Sequence, residues 1–171
     1  MNIYRDLNSF SAKNPVLSIG TFDGVHLGHR NVLKKVVERA KAINGESVIL
    51  SFWPHPRLFF EREKSNLKFL NTIEEKSILL EAIGIDHFII LPFSEVFANL
   101  TAEQYIEEII YKKIHPSTVI IGYDHRFGKN GSGNFETLSK LSSKFNFTAE
   151  KIKKFEIDEI NVSSTKIRKA L

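Results

Sequence analysis

A chain of 171 residues with no cysteine has room for one ordinary domain and none for a disulfide framework, a thiol nucleophile or an iron–sulfur cluster. At 42% hydrophobic and 26% charged it is too apolar for a disordered segment, and no apolar run approaches the roughly 20 residues that span a bilayer. The net charge of +4 comes from Lys and Arg interleaved with Glu and Asp, as in Glu74-Glu75-Lys76, the pattern of a solvated surface rather than of a nucleic-acid footprint.

In chain order, Met1 to Asp6 lacks the basic-then-apolar pattern of a secretory leader, so a cytoplasmic setting is expected, with neither membrane nor nucleic acid as partner. Val16 to Gly20 reads as a buried strand ending in glycine. A helix over Leu27–Ala42 follows, with Val32, Leu33, Val36, Val37 and Ala40 on one face. The second strand is Ser47–Phe52, stopped by Pro54, and Trp53 to Leu70 is expected as a long loop or flap. Thr72-Ile73-Glu74-Glu75 is a capping box opening a helix that Gly84 ends. A third strand, His87–Leu91, closes at Pro92. Thr101 to Gln104 is a second capping box, for a helix turning Ile106, Ile109 and Ile110 inward. Thr118–Gly122 is the fourth strand. A helix carrying Leu138, Leu141 and Phe145 precedes a strand near Phe147 to Ile152, and a short helix starts at about Ser164.

Alternating helices and continuously apolar strands predict an α/β fold, a Rossmann-like doubly wound parallel sheet in a single domain over 1–171. Ligands of such sheets sit beyond the carboxyl ends of the strands. Seven of the nine glycines fall in the loops after strands one and four.

The first of these loops, Gly20-Thr21-Phe22-Asp23-Gly24-Val25-His26-Leu27-Gly28-His29, runs from a buried strand into a helix, a geometry that aims free N–H groups and a helix dipole at an anion. It carries neither a Walker lysine nor the dinucleotide G-x-G-x-x-G. Two imidazoles, His26 and His29, stand one turn apart around Gly28. Histidines at that spacing also share metals, but no carboxylate or cysteine nearby completes a metal site, and in this context they suit phosphoryl chemistry. At the other end, Val162-Ser163-Ser164-Thr165-Lys166-Ile167-Arg168 places hydroxyls before a helix start, with Arg168 one turn in as a clamp for an oxyanion. Alone this is an ordinary N-cap with a surface arginine; beside the first motif it becomes a second phosphate site. Asp23 before Gly24 could bind a ligand, though a turn-stabilising role is the commoner one for an Asp before Gly.

H-x-G-H with a distal S-S-T-x-x-R resembles the nucleotidylyltransferase superfamily. Ser51-Phe52-Trp53-Pro54-His55-Pro56, Leu91-Pro92-Phe93 and Gly122-Tyr123-Asp124-His125-Arg126-Phe127-Gly128 narrow the resemblance to the FMN adenylyltransferase domain of prokaryotic bifunctional riboflavin kinase/FMN adenylyltransferases, the FAD synthetases. That resemblance implies transfer of AMP from ATP to FMN, giving FAD and pyrophosphate, with magnesium carried on the ATP and no protein metal site. It implies that His29, His26 and Arg168 act on the phosphates. Thr21, Phe22, Gly28, Ser163, Ser164 and Thr165 would complete the ATP site, and Pro54, Pro56, Asp124 and Phe127 would form the FMN side. Other readings are transfer to another phosphate acceptor (phosphopantetheine, nicotinamide mononucleotide or glycerol phosphate) and a flavin- or nucleotide-binding module without turnover. His125 stands where the family usually has an aromatic ring, and Asn134 where an acid is often found. The riboflavin kinase domain that follows in the family is not expected from these 171 residues, whether they are an excised domain or a single-activity protein.

Overall fold

The computed structural model describes residues 1–60, 68–153, 156–157, 160–161 and 163–170. Val162 of the second motif and residues 61–67 of the expected loop lie outside them.

Four apolar runs build the middle of a six-stranded sheet: β2 (Val16–Ile19), β3 (Ser47–Trp53), β4 (His87–Pro92) and β5 (Thr118–Gly122). Every pairing in this sheet is parallel, in the order β1-β4-β3-β2-β5-β6, with β1 (Asn2–Tyr4) and β6 (Thr148–Ile152) at the edges. The central runs are continuously apolar because helices cover both faces. Leu17, Val48, Leu50, Ile89, Val119 and Ile121 point to one side, onto Tyr105, Ile106, Ile110 and Leu138. Val16, Ile49, Phe88, Ile90 and Ile120 point to the other, onto Leu33, Val36, Val37, Ala40 and Leu80. The expected doubly wound parallel sheet is the observed architecture.

Helix boundaries follow the local signals. Helix α1 spans Leu27–Ala42 and buries Leu33, Val36, Val37 and Ala40, the i, i+3, i+4, i+7 stripe that its sequence carries. After α2 (Pro56–Phe60), α3 (Ile73–Ile83) opens on a complete Thr72/Glu75 capping box and stops where Gly84 adopts φ 96°. Past α4 (Glu95–Ala98), α5 (Ala102–Tyr105) opens on the Thr101/Gln104 box, then widens into π-type turns over Ile106–Ile114 that bury Ile106, Ile110 and Ile114 while Ile109 stays partly covered. Helix α6 (Phe135–Lys144) is capped by Asn134, whose side chain accepts from Thr137 N at 3.0 Å. A short antiparallel pair, β7 (Glu156–Ile157) with β8 (Ile160–Asn161), precedes α7 (Ser164–Ala170).

Among the described residues five elements add to the sequence reading: β1, α2 inside the expected loop, α4, a 3₁₀ turn at Lys129–Gly131, and the β7–β8 pair. Each is two to five residues long, too short to show a period. Strands β2 to β4 are laid outward in one direction, and the chain then returns to place β5 on the other side of β2. The loops leaving β2 and β5 therefore diverge at their carboxyl ends and open a crevice between them.

Candidate functional site

A cavity of about 810 Å³ fills that crevice. The loop after β2 enters it in a held conformation: Gly24 adopts φ +83°, and Phe22 and Val25 sit at φ +46° and +39°. His26 is the N-cap of α1, and its Nδ1 accepts from His29 N at 3.3 Å. That bond fixes the tautomer of a neutral His26, so its proton is on Nε2. The two imidazoles stack with centroids 3.6 Å apart and planes 18° from parallel. Burial pushes the His29 imidazole down to about 3, with the charges of His26 and Lys76 adding to it. Burial likewise lowers His26, against the opposing charge of Asp23. Both rings are neutral near pH 7 and act as hydrogen-bonding groups rather than cations. His29 Nδ1 is buried with no hydrogen-bond partner among the described residues.

The carboxyl-terminal segment meets this loop. Ser164 Oγ donates to Asp23 O at 2.8 Å, and Arg168 bonds the Asp23 carboxylate and donates from Nε to Lys68 O at 2.8 Å. Ser163 Oγ accepts from Lys166 N at 3.3 Å, the expected cap. Asp23 departs from its local reading. Only 2% exposed, it accepts from Leu70 N at 3.0 Å and pairs with Arg168, so it ties three distant segments together instead of stabilising its own turn. A buried carboxylate requires charge-assisted partners, and a turn of two residues cannot supply them. Arg168 thus lines the cavity with part of its guanidinium already engaged.

Thr21, Phe22, His26, Gly28, His29, Ser163, Ser164, Thr165 and Arg168 all line the cavity, and so do Pro56, Asp124 and Phe127. Pro54 does not: it is exposed in the turn after β3. From this polar group the wall continues into aromatic rings, Phe52, Phe60, Phe93, Phe97, Tyr105 and Phe127. Neighbouring rings meet at 4.8 Å for Phe52–Phe97, 5.5 Å for Phe97–Tyr105 and 5.7 Å for Tyr105–Phe127. His125, in place of an aromatic residue, lies roughly parallel to Phe127 at 6.1 Å, and burial lowers it to about 4, so a neutral ring still covers that position. Asn134 caps α6, which accounts for an amide there.

Sequence reading named Phe127 and quoted Phe52 and Phe93 in its motifs but missed Phe60, Phe97 and Tyr105, because such residues are indistinguishable from core residues until the chain is folded. It also missed Lys76, which reaches the loop after β2 from α3 and donates to Thr21 O at 2.6 Å. His55 is another, lining the cavity and lowered to about 4, chiefly by burial. Among the described residues no group of three His, Asp or Glu side chains is placed to hold a metal ion, and no helix is long and apolar enough to cross a membrane.

A parallel sheet with a two-histidine loop and a serine–arginine segment at its switch point defines a protein of the nucleotidylyltransferase type. The sequence model of the FAD synthetase family matches residues 9–166. The chain belongs to the FAD synthetase family. It is 37% identical over 174 residues to the bifunctional riboflavin kinase/FMN adenylyltransferase of Buchnera aphidicola subsp. Schizaphis graminum, covering 100% of this chain and 55% of that protein. It is 35% identical over 155 residues to the protein of the same name from Haemophilus influenzae, covering 91% of this chain and 50% of the other. The chain therefore spans about half the length of the curated relatives it matches. A solved structure titled a macrolide-efflux protein, from Streptococcus pneumoniae, superposes with TM-score 0.83 over 98% of this chain and 54% of that one, at 23% identity, which shows a shared fold.

Proposed function

We propose that this chain transfers the adenylyl group of ATP to FMN, acting in the cytoplasm as the adenylyl-transfer half of a bifunctional flavin-forming protein like its relatives. One oxygen of the FMN phosphate attacks the α-phosphorus of ATP, the bond from that phosphorus to the bridging oxygen breaks, and pyrophosphate leaves as FAD forms. The attacking oxygen is already anionic at neutral pH, so no general base is needed, and the task is alignment and charge stabilisation. His26 Nε2–H and the His29 ring donate to phosphate oxygens whose charge grows in the transition state. Arg168 presents the rest of its guanidinium to the departing pyrophosphate. The aromatic wall suits the flat isoalloxazine ring. Magnesium would ride on the triphosphate and neutralise its charge. The Asp23 carboxylate is already bonded to Arg168 and Leu70 rather than free to hold a metal ion.

The observation that carries this reading is the single cavity that joins the histidine loop, the Ser163–Arg168 segment and the aromatic wall. The test is to incubate the chain with FMN, ATP and magnesium and follow FAD by chromatography and pyrophosphate by a coupled assay. Equal amounts of the two products are expected. A folded chain that binds ATP yet forms no FAD overturns the proposal.

A further inference from the structure

Lys76 is a buried cation that the reaction above does not use. It stands on α3, on the far side of the phosphate loop from the cavity, and is 8% exposed. It is absent from the cavity's lining, whereas Thr21 and Phe22 are both in it. Among the described residues its ammonium has one hydrogen-bond partner, the Thr21 carbonyl, at 2.6 Å. The nearby Asp23 carboxylate is occupied by Leu70 N and Arg168. A desolvated ammonium with a single neutral acceptor is an expensive arrangement, and burial lowers its pKa accordingly, against the opposing influence of Asp23.

The geometry of one peptide explains what the ammonium does. Across a trans peptide the carbonyl of Thr21 and the N–H of Phe22 point in opposite directions. With the carbonyl held toward Lys76, behind the loop, the N–H is turned to the other side. That N–H makes no hydrogen bond within the described residues, as is true of Thr21, Asp23 and His26 in the same loop, while those of Gly24, Val25 and His29 are bonded inside the protein. Phe22 itself sits at φ +46°, a region bulky side chains rarely adopt, so this orientation is imposed by surroundings rather than by local preference.

We propose that Lys76 is a positioning residue of the phosphate site: by holding the Thr21 carbonyl, its ammonium turns the Phe22 N–H into the cavity as a donor for a phosphate oxygen of ATP. Without the ammonium, the peptide is free to turn its carbonyl oxygen, which repels an anion, toward the same place. The inference rests on the cavity being the ATP site, and on nothing about the acceptor.

The test uses the whole chain with ATP and magnesium as the probe. It reads ATP affinity by calorimetry and the Phe22 amide resonance of a nitrogen-15-labelled sample at saturation. In the wild type the Phe22 amide moves downfield when ATP binds. In Lys76→Met that response is lost and affinity falls about 10- to 100-fold, the value of one hydrogen bond to a charged group. An effect of the missing charge alone would weaken affinity but leave the amide responding at saturation, and that outcome overturns the proposal, as does unchanged affinity in the folded variant. Should Lys76→Met fail to fold, the wild-type titration decides: a Phe22 amide indifferent to ATP overturns the inference and a downfield shift supports it. A wild-type chain that does not bind ATP overturns the nucleotide reading as well, whereas one that binds ATP but forms no FAD overturns only the reaction.

Discussion

At the scale of single residues, the neutral imidazole pair has a kinetic consequence. Burial holds His29 at about 3, far below the ordinary histidine value near 6.5, so its protonation state does not change between pH 5 and 9. In the proposed reaction it donates to a growing phosphate charge like one donor of an oxyanion hole, so His29→Ala is expected to lower kcat by roughly 10²–10³. An acid limb near pH 6 that persists without the His29 imidazole belongs to FMN, whose phosphate dianion takes up one proton at about that value and becomes a monoanion. The sign is definite: activity falls as the pH drops through about 6 because the nucleophile loses one of its two negative charges, and the His29 imidazole does not titrate there. Measuring kcat/KM against pH for the wild type and His29→Ala checks both statements. The variant is slow but keeps the same limb, and a limb that vanishes with the imidazole refutes the assignment.

At the scale of elements, the loop after β5 is held by contact with α5, and the contact leaves no room for a side chain. Gly128 adopts φ +72°, and a methyl group there would lie 2.6 Å from Ala102 N and 2.7 Å from Ala102 Cα, both backbone atoms. The next residue donates from Lys129 N to Leu100 O at 2.7 Å. Gly128→Ala therefore costs about 2 kcal/mol or more in urea unfolding, because backbone cannot step aside as a flexible side chain can. The loop also carries Asp124 and Phe127, so the KM for FMN rises more than the KM for ATP. Equal changes in the two would deny the loop its place on the acceptor side. What was legible in the sequence at this scale was whatever is written within about ten residues. The Thr72/Glu75 and Thr101/Gln104 boxes, the stop at Gly84 and the stripe of α1 stand where their local signals put them, since caps and periodicity are satisfied by neighbours in the chain. The edge strand β1 was not legible. Three residues with an exposed pattern show no alternation, and only its pairing with His87 to Ile89 makes it a strand.

At the scale of the whole molecule, the site depends on residues far apart in the chain, and there sequence reading gave the members but not their connections. The histidine loop and the Ser163–Arg168 segment were both legible as candidate anion-binding patterns, and both line one cavity. The Asp23–Arg168 pair, 145 residues apart, and the Lys76–Thr21 bond, 55 apart, have no local signature, because a buried charge chooses its partner only once the fold brings one near. Helix α7 shows what this means for stability. None of its described side chains is buried, and its polar attachments to the rest of the protein are Ser164 to Asp23 and Arg168 to Asp23 and Lys68. The sheet and its two apolar faces are complete without it. Held to the loop after β2 by these bonds and lining the cavity through Ser164, Thr165 and Arg168, it is a strap on the cavity wall rather than a part of the apolar core. Removing residues 163–171 together with Asp23→Asn, so that no buried carboxylate loses its cation, leaves a chain that still unfolds cooperatively in a thermal melt. ATP affinity by calorimetry falls by a factor on the order of 10² or more, as expected for two charge-assisted hydrogen bonds lost. The same truncation changes FMN binding little, since the aromatic wall is untouched. Undiminished ATP affinity would remove the carboxyl-terminal segment from the site, and loss of the cooperative transition would make α7 part of the fold's foundation instead of a strap.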